Sequence, residues 1–324
     1  MRNIVIYKPF EDRFYEDIKK ITLSTFELTS FGVDPYIGKN YSGKIAWENW
    51  CKPVIESSKK RYCIVALYED KPAGYIIYGI NREYSVVINK KIGTIILLAV
   101  DKKYRGLHIG EGLIRYVYRI YKNSSVQLIT VGTDLDNLPA LYNYFKFNFR
   151  PVLNWATFRF YFFNRLKMNS SIQIIKVENI PHSFLSHIKR ENSLLNDKRI
   201  KEKNKIINYI NNSVMQNIRK RKIFLFAIQH KEKIVGFITI KEEITISKIL
   251  NKRIIRIVDL IFFDNDINYN IKLLKNFLIF LRKNYKAEII EIFVELNRWN
   301  IIELIERAGF ILRHNAVTLH SWLE

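Results

Sequence analysis

The chain has 324 residues, more than one small domain needs and enough for two cores of roughly 150 residues each. Lys and Arg number 53 against 31 Asp and Glu, a formal charge of +22, while the apolar fraction is ordinary for a globular protein. Two cysteines without a C-x-x-C pair, no His-rich cluster and no uncharged apolar run near membrane length argue against a disulfide scaffold, a cysteine zinc site and a spanning helix. No metal is expected. With no apolar leader run at Met1, the expectation is a cytoplasmic protein. Three readings of the charge stay open: a nucleic-acid face, cations for polyanionic small molecules, or a Lys-, Ile- and Asn-rich composition without functional meaning.

In chain order, the first marked feature is Ser30-Phe31 with Asp34-Pro35, a turn, followed by Trp47 and Trp50 at the i, i+3 spacing of one helix face. Arg61–Tyr78 alternates around a charged turn and predicts a hairpin. Ile95–Val100 is a wholly apolar strand. It runs into Asp101-Lys-Lys-Tyr-Arg105-Gly106-Leu107-His108-Ile109-Gly110-Glu111-Gly112, where three of the chain's 12 glycines crowd into seven positions. An amphipathic helix over 110–121 follows at once. A strand that stops at a glycine- and arginine-bearing loop and turns into a helix makes an anion site, because the amides of the first helical turn have no partner and the helix dipole favours negative charge. A strand over 126–131 and a helix opening at Asn137 come next.

The second half repeats this order at an offset of roughly 160 residues, the mark of an internal duplication. Phe224–Ile240 echoes the hairpin, and Arg256–Phe263 echoes the apolar strand. Asn270–Tyr285 echoes the helix and Glu288–Glu295 the next strand. Gly309-Phe310 stands for Asn148-Phe149, and Asn315-Ala-Val-Thr318 for Asn154-Trp-Ala-Thr157. Opposite the loop, however, stands Asp264-Asn-Asp-Ile-Asn-Tyr-Asn, with neither glycine nor arginine. The join is expected near Leu166–Ser171, giving units of 1–166 and 172–324.

This order of elements resembles the GNAT N-acetyltransferase superfamily. Its phosphate motif (Gln or Arg, two residues, Gly, one residue, Gly or Ala) falls on Arg105, His108 and Gly110, with histidine replacing the first glycine. Its second motif falls on Asn137, Ala140, Tyr144 and Asn148-Phe149, with Asn148 replacing glycine. Ser30-Phe31-x-x-Asp34-Pro35, Trp50, Val131-Gly132-Thr133 and Thr318–Trp322 resemble the branch that acetylates nucleotide-linked deoxyamino sugars such as TDP-4-amino-4,6-dideoxyhexoses.

The resemblance implies an α+β class with two tandem GNAT-like acyl-CoA acyltransferase domains, each a mixed, mostly antiparallel central sheet flanked by helices. It implies an acetyl-CoA-dependent N-acetyltransferase in 1–166 and a degenerate copy in 172–324 that packs or completes the acceptor pocket. Coenzyme contacts fall on Val100, Arg105, Gly106, Leu107, His108, Ile109, Gly110, Glu111, Gly112 and Asn137. A backbone amide near Leu98 or Val100 would receive the oxyanion, and Tyr144, protonated at neutral pH, would give a proton to the leaving sulfur. Phe31, Asp34, Trp50 and Thr133 would meet the acceptor. The base is not assigned; a water relay, Asp34 or Asp134 could serve. The partner expected is a small amine, first a nucleotide amino sugar, with a peptide N-terminus, polyamine or aminoglycoside as alternatives. A homodimer stays open, and membrane is not expected. The reading from another class is a basic, non-catalytic nucleic-acid module, which needs its cations in one stripe.

Overall fold

A computed structural model describes residues 5–27, 33–34, 39–162, 171–187 and 192–323. The chain divides into two compact units, 1–153 with 315–324, and 154–314. This differs from contiguous halves. Strand pairing explains the difference, because the last strand of each half is claimed by the unit built from the other half.

Unit 1 begins with strand β1 (Val5–Pro9) and helix α1 (Tyr15–Phe26). A two-residue pair, β2 (Val33–Asp34) and β3 (Lys39–Asn40), precedes a helical stretch. That stretch runs through α2 (Ser42–Ala46), a π-turn at Trp47–Cys51 and α3 (Lys52–Ile55). The hairpin of β4 (Cys63–Tyr68) and β5 (Lys71–Ile80) turns on Glu69 and Asp70, both left-handed, the geometry whose twist matches antiparallel strands. Helix α4 (Arg82–Ile88), strand β6 (Ile92–Val100), helix α5 (Ile109–Asn123), strand β7 (Leu128–Asp134) and helix α6 (Leu138–Lys146) complete the first half. α5 buries Ile109, Leu113, Ile114, Val117 and Tyr121, one apolar stripe at helical spacing. Its core packs one face of the sheet; Ile18, Ile21, Trp47, Cys51 and Ile55 pack the other.

Strand β8 (Arg150–Tyr161) then leaves for unit 2. Unit 2 continues with β9 (Ile172–Val177), α7 (His182–His187), α8 (Ser193–Asn196) and α9 (Lys203–Arg219). The hairpin of β10 (Phe224–His230) and β11 (Lys233–Glu242), helix α10 (Ile244–Leu250) and strand β12 (Ile254–Phe262) come next. Helix α11 (Ile267–Tyr285), strand β13 (Ile289–Glu295), helix α12 (Trp299–Ala308) and strand β14 (Ile311–Trp322) close the chain. β8 pairs antiparallel with β13 from Tyr161↔Ile289 to Trp155↔Glu295, inside unit 2. β14 returns to unit 1 and pairs with β7 from Trp322↔Leu128 to Ala316↔Asp134, burying Val317 and Leu319 in the first core. The expected join at 166–171 lies almost wholly outside the described residues.

One feature of the sheet positions the chemistry. β6 and β7 run parallel and pair only from Ile92↔Leu128 to Ile95↔Val131. Beyond that point β6 carries a bulge against β5 at Ile96, and the two strands continue without pairing. β12 and β13 do the same after Ile257↔Ile292. A bulge bends the strand that carries it and interrupts its ladder, which leaves backbone groups of β6 available along a gap.

Candidate active site

The gap opens toward the start of α5. After Val100 the chain makes a short turn at Lys102–Tyr104, closed by the Lys103 amide donating to Asp101 Oδ1 at 2.9 Å. Gly106 has φ +82, a conformation glycine adopts without strain. His108, in the place of the motif's first glycine, has φ +55 and occupies the N-cap position of α5. Its side chain caps nothing. The first-turn amides of α5 therefore keep their bonding capacity, at the positive end of a 15-residue helix.

α11 of unit 2 is the control within the same chain. Its N-cap is Asp266, whose Oδ1 accepts from the amides of Asn268 at 2.9 Å and Tyr269 at 3.3 Å. Asn268, in the place of Gly110, is itself held by Arg307 at 2.6 Å, and Arg307 stands in the place of Lys146. An anion arriving there would face a carboxylate already on the amides.

A cavity of about 590 Å³ lies in front of the open helix end. Leu98 and Val100 of β6 line it, together with Thr25 of α1. Arg105, Gly106, His108, Ile109, Gly110 and Glu111 supply the loop wall. Asn137, Pro139, Ala140, Tyr142, Asn143 and Lys146 supply the α6 wall. Most of the expected coenzyme residues thus meet around one space. Asn137 also caps α6, accepting from the Ala140 amide at 3.4 Å. Gly110 keeps a helical backbone, and a methyl group on it would meet only Val100 at 3.6 Å and Asn143 at 3.7 Å. Among the described residues nothing needs a glycine there, so the space above Gly110 fits close approach of a ligand to the backbone.

Two glycine-loop residues fall outside. Gly112 faces strand β1: a methyl group on it would lie 1.7 Å from the Tyr7 hydroxyl, so its role is helix–strand packing. Leu107 points to solvent and does not line the cavity.

Tyr144 also sits differently from expectation. Its side chain is 4% exposed, packs on Phe149 with ring centroids 5.4 Å apart, and is absent from the cavity wall. Burial pushes its phenol well above the usual tyrosine range, so it is protonated at any working pH. Two tyrosines do line the cavity: Tyr104, in the loop after β6, and Tyr142, 64% exposed, two residues earlier on α6. The amphipathic period explains this: positions 137, 140 and 143 face the cavity while 144 turns inward.

Of the acceptor residues, Phe31 and the side chain of Asp34 lie outside the described residues. Trp50 packs, half-buried, on the second core face, and Thr133 lies on β7 opposite Val317; neither lines the cavity.

Sequence reading passed over two groupings. Glu111, Lys146 and Arg115 form a charged cluster at the start of α5. Lys146 Nζ and Arg115 each donate to the Glu111 carboxylate at 2.8 Å. Those bonds, Lys146 first, hold the Glu111 carboxyl down at about 2. The signal was a Glu at i and an Arg at i+4; the lysine comes from another helix and left none. The second grouping is a polar row where the parallel pairing ends. Thr94, Thr130 and His320 are in register across β6, β7 and β14, and the two threonine hydroxyls are 3.0 Å apart. In unit 2 the same row is Arg256, Glu291 and Arg159. Glu291 accepts from Arg256 at 2.6 Å and Arg159 at 2.9 Å. Burial alone would raise the Glu291 carboxyl, but the two guanidiniums outweigh it and hold the group ionised. Among the described residues, no group of three or more His, Cys, Asp or Glu side chains could hold a metal ion, and no helix is long and apolar enough to cross a membrane.

Residues 22–149 match the acetyltransferase (GNAT) family. No curated protein sequence is significantly similar to the chain. A GCN5-related N-acetyltransferase from Sphaerobacter thermophilus superposes with a TM-score of 0.60 at 14% identity, covering 98% of this chain and 95% of that one. A tandem GNAT protein from the clavulanic acid biosynthesis pathway gives 0.53 at 9% identity, over 98% of each chain. A GCN5-related N-acetyltransferase from Anabaena variabilis gives 0.50 at 11% identity, over 99% of this chain and 73% of that one. At such identities the likeness is one of fold, and it extends through both units.

Proposed function

We propose that the first unit, whose residues 22–149 match the acetyltransferase (GNAT) family, binds acetyl-CoA in the 590 Å³ cavity and acetylates the amine of a small acceptor by direct attack. The observation that carries this is the uncapped start of α5 beside a β6–β7 gap, set against the self-capped start of α11. The amides of Ile109, Gly110 and Glu111 would hold the pyrophosphate, with Arg105 adding charge. The pantetheine arm would follow β6 past Asn137. A β6 amide near Leu98 or Val100 would stabilise the oxyanion, which electrostatic preorganisation makes a large term. Holding thioester and amine in contact would contribute about 7 kcal/mol or more.

Tyr144 is retained as the proton donor to sulfur on chemical grounds alone: its phenol is protonated and none of its bonds is committed to a side chain among the described residues. Its ring must then turn or its wall must open. Tyr142, one of two tyrosines that already line the cavity, is the competing donor on the same helix. The acceptor we favour is a nucleotide-linked deoxyamino sugar, supported by short segments around Phe31, Trp50 and Thr133 and by a charge that suits two polyanionic ligands. Unit 2, its helix start occupied by Asp266, would serve packing or the acceptor side rather than coenzyme binding.

Thermal shift with acetyl-CoA is the first test. Stabilisation is expected, and none would remove the transferase reading. Free-thiol release against TDP- and UDP-amino sugars, polyamines, aminoglycosides and peptides then identifies the acceptor. Tyr144→Phe is expected to lower kcat at least tenfold with unchanged coenzyme binding; if Tyr142→Phe does so instead, the donor is Tyr142.

A further inference from the structure

Glu111 is the third residue of α5, so its carboxylate stands at the end of the helix where the coenzyme's phosphates are to bind. It lines the same cavity as Lys146. Its Oε2 takes the Lys146 ammonium at 2.8 Å, and its Oε1 takes Arg115 one helical turn on at 2.8 Å. The His108 ring stands 3.6 Å from the same Oε2. With the carboxyl held at about 2, Glu111 is an anion at every working pH. A phosphate arriving at this helix end brings a second anion beside the first, and like charges at such range disfavour each other. Among the described residues, Lys146 is the lysine or arginine that both borders the cavity and is committed to Glu111. Its ammonium also lies 4.6 Å from the Tyr142 ring, on the cavity side of α6. Arg115, outside the cavity, can keep Glu111 paired when Lys146 lets go.

We propose that Glu111 is a built-in counter-ion that holds Lys146 at the coenzyme cavity and yields it to a phosphate group of the coenzyme, so that the pair sets how tightly coenzyme is held and how readily it leaves. This rests on the coenzyme reading of the cavity. Lysine suits the part: it is a compact point charge on a flexible stem, able to change partners without the fixed fork an arginine needs. The phosphate could be the pyrophosphate or the 3′-phosphate of CoA.

The test is calorimetric titration of the full chain with CoA and with dephospho-CoA, for wild type, Glu111→Gln, Lys146→Met and the double variant. Glu111→Gln is expected to tighten CoA about fivefold, because the competing anion is gone and the lysine is released. Lys146→Met is expected to weaken CoA by a similar factor. In the double variant the gain from Glu111→Gln should shrink, since there is no lysine left to release. If the Lys146→Met loss is absent with dephospho-CoA, the 3′-phosphate is the receiving group; if it persists, the pyrophosphate is. Glu111→Gln binding CoA as wild type does, or more weakly, overturns the proposal, as does full additivity of the two changes. Should Glu111→Gln fold poorly, the exposed Lys146→Met still decides: unchanged CoA affinity overturns the exchange. Failure of wild type to bind either ligand instead overturns the coenzyme reading itself, a distinct outcome.

Discussion

Gly110 and His108 divide what the loop needs for folding from what it needs for binding. Gly110 has a helical backbone and only ordinary contacts above its Cα. Gly110→Ala should therefore raise stability by about 0.5–1 kcal/mol, the helix preference of alanine, while abolishing the acetyl-CoA thermal shift. His108 carries the opposite signature. It is a non-glycine residue held left-handed, at a cost of about 1 kcal/mol, where the family motif has glycine. His108→Gly should relieve that strain and leave coenzyme binding intact. Denaturant melts with and without acetyl-CoA check both changes; loss of binding in His108→Gly would make the imidazole a ligand. The motif spacing alone pointed to these residues. It could not tell Gly110, where a methyl group would meet only ordinary contacts, from Gly112, where it would meet Tyr7.

At the scale of elements, the duplication is written into the backbone. Left-handed residues recur at Glu69 and Asp70 with Lys231 and Glu232, at Asn89 with Asn251, at Ser125 with Lys286, and at Asn148 with Gly309. Gly106 and His108 have no such counterpart among the described residues, so the copies diverge at the loop before α5. Asp266 is the local reason α11 differs from α5: its side chain closes the helix start. Asp266→Ala should cost about 1 kcal/mol of unit 2 stability, read by denaturant midpoint, with no change in acetyl-CoA affinity. A change in that affinity would give the second copy a part in coenzyme binding. Hairpins, strands and the two long helices were legible because alternation and amphipathic period are local. The inward turn of Tyr144 was not, because a motif gives an order of residues but not which side of the helix stripe meets the core.

At the scale of the whole molecule, the strand exchange decides what can stand alone. A fragment of residues 1–166 lacks Val317 and Leu319, each worth about 1.5–3 kcal/mol when buried, and leaves the β7 edge unpaired. It also carries Phe158 and Phe160 without the β13 partner that covers them. It should aggregate, while residues 1–153 linked directly to 315–323 should be monomeric and stabilised by acetyl-CoA. A well-folded 1–166 by size-exclusion chromatography and circular dichroism would sink the exchange. Sequence by itself determined the repeat, the family pattern and the glycine-bearing loop that leads into a helix, since all three are short-range matters of spacing and backbone preference. Only the tertiary structure decided which half owns each final strand, which tyrosine of α6 borders the cavity and that Lys146 reaches Glu111. Those depend on side chains far apart in sequence competing for the same neighbours, and no local period records the result.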